Sequence, residues 1–405
     1  MGHSRTDAIL LFATRITRLF AYGSLSVLLV LYLAENGLGE QLIGLLLTLT
    51  LIGDAGISLW MTVSADRIGR RRMLVLGAGL MVLAGSVFLL TDNPFLLIVA
   101  AIIGVISPSG NEIGPFLSIE QAALAQIVLN NRRTKVFAWY NVVGSLATAI
   151  GALVSGWSVH SLQTIGVSTL DSYRVVLASY VFCGLLLAVL FLFLSPLAEC
   201  GLKGEGASRT LGLHRSKKVV LKLSSLFALD AFGGGLVLQS ILAYWFHVKF
   251  GADTATLGSI FFGANILAAV SALLAVRIAS RIGLINTMVF THIPSNVLLC
   301  FVPLMPNLPL AIGVLLARFS ISQMDVPTRQ SYIMSVVAPD ERSAAAGVTT
   351  IARSMGGGLS PMLSGVFLSN PLLLGLPFYA AGTLKIIYDL LLYRSFKAIK
   401  PLEEL

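Results

Sequence analysis

Ser64-Ala-Asp-Arg-Ile-Gly-Arg-Arg-Arg72 sets a dense positive cluster between two long apolar runs, Leu42 to Val63 before it and Met73 to Leu90 after it. Each run is long enough to cross a hydrocarbon core of about 30 Å as a helix. So short a connection makes the two helices antiparallel neighbours. Arg67, Arg70, Arg71 and Arg72 place the loop on the cytoplasmic side, where short loops collect Lys and Arg. That hairpin orients every other span.

Composition agrees with a membrane protein. Hydrophobic residues make up 56% of the 405 and charged residues 12%, and the mean hydropathy is +0.87, values that argue against a soluble chain. The net charge of +9 does not point to nucleic acid, because the basic residues lie in short clusters between apolar runs and read as topology signals. Cys183, Cys200 and Cys300 are too scattered for a disulfide framework or a metal site. Arg5, Arg15 and Arg18 precede and enter the first run without a small-residue cleavage site after it, so the run is expected to stay as an uncleaved span.

Twelve spans are expected. Six lie near Leu10 to Leu33, Leu42 to Val63, Met73 to Leu90, Phe95 to Leu129, Val136 to Val159 and Tyr173 to Leu194. A polar, basic stretch follows, and then six more near Val219 to Trp245, Thr256 to Val276, Ile282 to Leu304, Leu308 to Val337, Ala344 to Leu368 and Leu372 to Leu392. The division predicts an N-terminal six-helix bundle over 1–196, a cytoplasmic linker over 197–217 and a C-terminal six-helix bundle over 218–405. Inside loops then carry Arg132, Arg133, Lys135, Arg277, Arg281 and Arg342, whereas outside loops carry little beyond Lys249 and Arg174. Both termini are expected in the cytoplasm and the protein in the plasma membrane.

The halves repeat. A shift of 209 positions lays Ser118-Ile-Glu-Gln121 over Pro327-Thr-Arg-Gln330 and Ser155-Gly156 over Ser364-Gly365. A shift of 214 lays Ala65-Asp-Arg-Ile-Gly69 over Ala279-Ser-Arg-Ile-Gly283. Such faint internal similarity is what a transporter built from two related bundles leaves in its sequence.

On these residues the chain resembles the major facilitator superfamily, whose signature after the second helix is approximately Gly-x-x-x-Asp-Arg-x-Gly-Arg-Arg. Here it reads Thr62-Val-Ser-Ala-Asp66-Arg67-Ile-Gly69-Arg70-Arg71, with Thr62 in place of the first glycine. The resemblance implies an all-α polytopic fold with twelve transmembrane helices in two pseudo-symmetric bundles. It also implies that Asp66, Arg67, Gly69, Arg70 and Arg71 form a conformational latch that pairs with a neighbouring helix end and lets go during the cycle. Gly69 permits the tight turn that such a loop needs.

Ionisable residues inside the spans carry the functional signal. Asp54, Glu112, Glu120, Asp230, Asp325, Arg329, Arg353 and Lys385 would cost on the order of 24 kcal/mol if all faced lipid near mid-membrane. That exceeds the whole stability of a typical fold, about 5–15 kcal/mol, so most must face protein or a cavity. By the resemblance, spans one, four, seven and ten line the cavity, which makes Arg18, Tyr22, Glu112, Asp230, Gln239, Gln323, Asp325 and Arg329 lining candidates. Asn111 joins them beside Glu112, between Pro108 and Pro115. Glu112, Asp230 and Asp54 are the candidates for proton coupling, since an acid in an opening and closing cavity binds and releases protons. Arg353 and Arg329 suit an anionic substrate. Glu120 and Arg329, at equivalent repeat positions, invite pairing across the halves. Arg18 also reads as a snorkelling residue. Lys385 and Asp389, four apart, are expected to pair with each other, and His160, His247 and His292 stand alone in the sequence.

The sequence therefore predicts a secondary transporter that works by alternating access, acting as a monomer on a small-molecule substrate and on protons, with the lipid bilayer as its medium. Proton-coupled efflux of a small organic compound leads. Proton-coupled uptake of an organic anion or nutrient is the alternative, and a transport-inactive receptor or scaffold the second. No P-loop, His-Glu-x-x-His or Gly-x-Ser-x-Gly motif occurs, so no enzyme, cofactor or metal is expected.

Overall fold

The computed structural model of the chain describes residues 2–110, 116–128, 133–198, 214–338 and 341–397. In chain order the helices are α1 (Gly2–Glu35), α2 (Glu40–Ile68), α3 (Arg70–Leu90), α4 (Pro94–Ile103), α5 (Phe116–Ile127), α6 (Arg133–Thr164), α7 (Thr169–Leu192) and α8 (Lys217–Gly235). After them come α9 (Gln239–Phe250), α10 (Thr254–Ile282), α11 (Leu284–Phe301), α12 (Leu308–Phe319), α13 (Asp325–Val336), α14 (Arg342–Leu359), α15 (Pro361–Leu368) and α16 (Leu376–Phe396).

Helices occupy all twelve expected spans, and among the described residues nine spans are long and apolar enough to cross a membrane by length and composition. The fourth is split into α4 and α5, the tenth into α12 and α13, and the eleventh into α14 and α15. Each break has a local cause. Gly104 ends α4 in extended backbone. In the tenth span Pro327 has no N–H to continue a helix from the preceding turn and sits instead in the first turn of α13, where that donor is not needed. Pro361 opens α15 in the same way. Gly233, Gly234 and Gly235 close α8 within the seventh span, as poor helix formers do.

The chain divides into two compact units, Met1–Gly204 with Gln239–Phe262, and Glu205–Leu238 with Gly263–Leu405. In the first, α1 packs against α6, α7 and α9, and its Tyr22, Val27, Leu29 and Leu33 are fully enclosed. In the second, α8 packs on α14 and α16, and α16 on α11. Phe227, Met288, Tyr332, Tyr388, Leu392 and Phe396 form an apolar core there. Large apolar side chains such as Phe182, Phe193, Val276 and Phe290 point outward, a pattern that lipid tolerates and water does not.

The loop repeat is a structural repeat. Gly69 (φ +110) and Gly283 (φ +86) both adopt positive φ, and both are the residue from which the next helix starts. Each N–H returns four residues, Gly69 to Ala65 at 3.0 Å and Gly283 to Ala279 at 2.9 Å. Each carbonyl accepts from four residues on, Met73 and Thr287 at 3.1 Å. Only glycine takes this backbone without strain.

Candidate functional site

The second unit holds a buried charge cluster centred on Asp230 of α8. Its Oδ1 accepts from Lys385 Nζ of α16 at 2.6 Å. Its Oδ2 accepts from Arg329 Nη1 of α13 at 3.3 Å and from Arg353 Nη1 of α14 at 3.2 Å. Arg329 Nη1 also donates to Asp325 Oδ2, one helical turn earlier, at 2.8 Å. On α11, His292 places Nδ1 2.9 Å from Asp389 Oδ1 of α16 and Nε2 3.9 Å from Asp230 Oδ1. Asn296 Nδ2 donates to Asp389 Oδ2 at 3.3 Å.

Helix geometry explains the gathering. Asp325 and Arg329 are an i,i+4 pair on one face of α13. The glycines that end α8 make room for Lys385, because a Cβ on Gly233 would lie 3.0 Å from the Lys385 Cγ. The three carboxylates, Asp230, Asp325 and Asp389, face three permanent cations, Arg329, Arg353 and Lys385, so with a neutral His292 the set balances. Charges taken out of water cost several kcal/mol each unless they are paired and hydrogen-bonded; Asp230 and Asp325 meet cations, and Asp389 is held by hydrogen bonds with His292 and Asn296. Arg353 alone among the seven is appreciably exposed, with 33% of its side chain uncovered by protein.

The first unit treats its charges differently. Arg18 of α1 meets Glu120 of α5 through two parallel hydrogen bonds, with both side chains fully buried. Thr14 Oγ1 donates to the same carboxylate at 2.8 Å, and so does the Tyr140 hydroxyl. Both carboxylate oxygens are thus doubly engaged, and the pair has the form of a fixed strut. The expected pairing of Glu120 with Arg329 is replaced by partners inside each unit: Arg18 for Glu120, Asp325 and Asp230 for Arg329. Nor does Arg18 snorkel; its carboxylate partner and the Phe116 ring, 4.7 Å from the guanidinium carbon, hold it inside.

The remaining expected residues are dispersed. Tyr22 is enclosed in α1 and Asp54 is buried in α2. Gln239 Nε2 donates to Ser26 Oγ at 2.8 Å within the first unit, and the Gln323 N–H donates to Ser271 Oγ at 3.2 Å in the second. Glu112 and Asn111 lie outside the described residues, and of Asp66 only the backbone is described. In the charged loop, Arg70 Nη1 donates to Gln126 Oε1 of α5 at 2.8 Å, Arg71 Nη1 lies 3.5 Å from the Leu194 carbonyl, and Arg67 is exposed. Thr62, where the family pattern has glycine, shares a hydrogen bond with Ser118 at 2.9 Å.

Three members of the cluster were not expected in it. Lys385 and Asp389 do not pair with each other: Lys385 reaches Asp230, and Asp389 holds the supposedly solitary His292. The available signal was a buried-type charge in each of spans nine and twelve, which spacing within one helix cannot connect. Among the described residues, no three His, Cys, Asp or Glu side chains converge to hold a metal ion.

The family model described as Major Facilitator Superfamily matches residues 11–395. The chain belongs to that superfamily. An uncharacterized membrane protein of Saccharomyces cerevisiae is 32% identical to it over 97% of this chain and 94% of its own length. The fold is shared with solved superfamily structures: a mutant form of the nucleoside transporter NupG (TM-score 0.77, 13% identity, 96% of this chain and 100% of that one), and a D-xylose-proton symporter (TM-score 0.74, 15% identity, 96% and 97%). A bacterial homologue of the human lysosomal transporter Spinster, inward-facing and occupied, is similar too (TM-score 0.75, 14% identity, 98% and 97%). The chain is therefore a multi-pass membrane protein and a secondary transporter of the major facilitator type, with a small-molecule substrate, and not an enzyme.

Proposed function

We propose that this superfamily member couples the movement of a small organic compound bearing an acidic group to the movement of protons, by alternating access. One observation carries the reading: Asp230 is shared by three cations, and one of them, Arg353, is a third exposed. A carboxylate with competing cationic partners releases one of them when it is neutralised or when another cation arrives, and the released arginine suits a planar acid. The proton-linked sugar carrier among the structural neighbours is compatible with coupling but lends only its fold.

Residence in the plasma membrane, cytoplasmic termini and action as a monomer belong to the same proposal. Export remains the direction tested first, with uptake of an organic anion as the second reading, which the exposed Arg353 favours. The test is internal pH in proteoliposomes of the purified protein, challenged from either side with pooled organic acids, organic cations and sugars. Acid-evoked proton movement that is lost in D230N supports the proposal, and the side of challenge gives the direction. Proton movement evoked by the cation pool alone, flux without proton movement, or no flux from folded protein would each overturn it, the last in favour of a receptor.

A further inference from the structure

We propose that His292 and Asp389 form the proton-binding site of this transporter, and that a proton taken up there is felt at Asp230 and frees Arg353 for the acidic group of the substrate. The inference rests on the proton-coupled reading above and moves its centre. The proton site is placed on α11 and α16, away from the spans expected to line the cavity.

Hydrogen-bond chemistry fixes the orientation of the imidazole. Asp389 presents carboxylate oxygens 2.9 and 3.1 Å from Nδ1, and Asn296 Nδ2 donates to the second of these oxygens. A carboxylate accepts, so Nδ1 carries the ring hydrogen, and in the neutral imidazole Nε2 is left bare 3.9 Å from Asp230 Oδ1. Two acceptors then face each other across a space that a donor would satisfy. One proton from hydronium, leaving water behind, adds to Nε2 and turns that contact into an ion pair at 3.9 Å. No other bond changes and no electrons are exchanged between groups.

The surroundings connect this step to the substrate. Asp389, Lys385 and the Tyr388 ring face His292 from α16, the last with its ring centroid 6.1 Å away. Asp230 faces it from α8. Arg329 and Asp325 on α13 and Arg353 on α14 join it through Asp230. On α12, the remaining long helix packed against α11, the one charged residue is Arg318, which lies over the Phe319 ring instead. A charged His292 becomes a fourth cation around one carboxylate whose Oδ1 is already held by Lys385 and whose Oδ2 is shared by Arg329 and Arg353. The set then carries one surplus positive charge, and its exposed member, Arg353, is the cation that an incoming anion can reach. Asp230 in this scheme transmits the charge and is a positioning residue.

The experiment needs no substrate. The full-length protein is labelled with 15N-histidine in nanodiscs, and the imidazole nitrogens are followed from about pH 4 to about pH 10. The signal missing from H292Q is that of His292. Should H292Q not fold, the H3Q/H160Q/H214Q/H247Q protein retains His292 alone. The proposal expects His292 to change charge between about pH 5 and about pH 9, and D389N to move the midpoint by at least about one unit, tenfold in proton affinity. A His292 that keeps one charge state throughout, or one whose titration ignores D389N, overturns it. Neither result depends on transport, so failure here is distinct from failure of the transport reading.

Discussion

Arg18 and Glu120 meet as a two-pronged fork, Nη1 on Oε1 at 2.8 Å and Nη2 on Oε2 at 2.7 Å, with neither side chain reaching solvent. Removing one partner leaves the other as a bare buried charge, at a cost of about 3–5 kcal/mol. R18M and E120L are each expected to lower the unfolding midpoint in detergent steeply, and R18M/E120L to recover most of the loss. A double variant as unstable as the sum of the singles would show that the two act independently.

The same logic has a different outcome at Asp230. Lys385 holds Oδ1 alone at short range, while two arginines share Oδ2. D230N leaves three cations facing one another, and K385M leaves a carboxylate that still has two partners. D230N is therefore expected to cost more stability than K385M, by about 1–3 kcal/mol, with both reducing transport at least about tenfold, about 1.4 kcal/mol of barrier. Equal melting of the two would contradict the geometry.

Outside the spans, Glu341 ties the start of α8 to the loop before α14. Its carboxylate accepts from the backbone N–H groups of His214, Arg215 and Ser216, and Ser216 Oγ accepts from the Ala338 N–H at 3.2 Å. Those donors hold the Glu341 carboxyl far below its ordinary 4.5, at about 2. A depressed folded-state value means that the stabilisation is complete above about pH 4.5 and is lost as pH falls through about 2. The gap in melting temperature between wild type and E341Q should be wide near neutral pH and close in acid. A gap independent of pH would refute the assignment.

Glycine position decides the sign of an alanine substitution. At Gly69 the φ of +110 makes G69A cost about 1–3 kcal/mol. At Gly79, inside α3 with open space where a Cβ would go, G79A should gain about 0.5–1 kcal/mol. Thermal unfolding of the two variants measures the contrast, and the same sign for both would sink the argument.

The spans, the charged hairpin and the repeat were legible because hydropathy and glycine act locally along the chain. Asp230, Arg329 and Arg353 were legible because a charge in an apolar run is conspicuous wherever it ends up. Their partners were not. Lys385 and Asp389 obey the four-residue spacing that predicts mutual pairing, yet each finds a stronger partner on another helix, Asp230 at 2.6 Å and His292 at 2.9 Å. Arg18 was misread for a related reason: proximity to a span end favours snorkelling only when no buried acid is available, and Glu120 lies more than a hundred residues away in sequence.

The balance of three carboxylates against three fixed cations has an electrical consequence. If one proton and one monoanion occupy the cluster together, the loaded and empty forms of the protein carry the same net charge through the bilayer. Moving one elementary charge through 100 mV is worth about 2.3 kcal/mol. If the two cross together in one direction, membrane voltage gives the carrier no push, and the proton and solute concentration differences alone set how far it runs; if they cross in opposite directions, each cycle moves charge and voltage drives it.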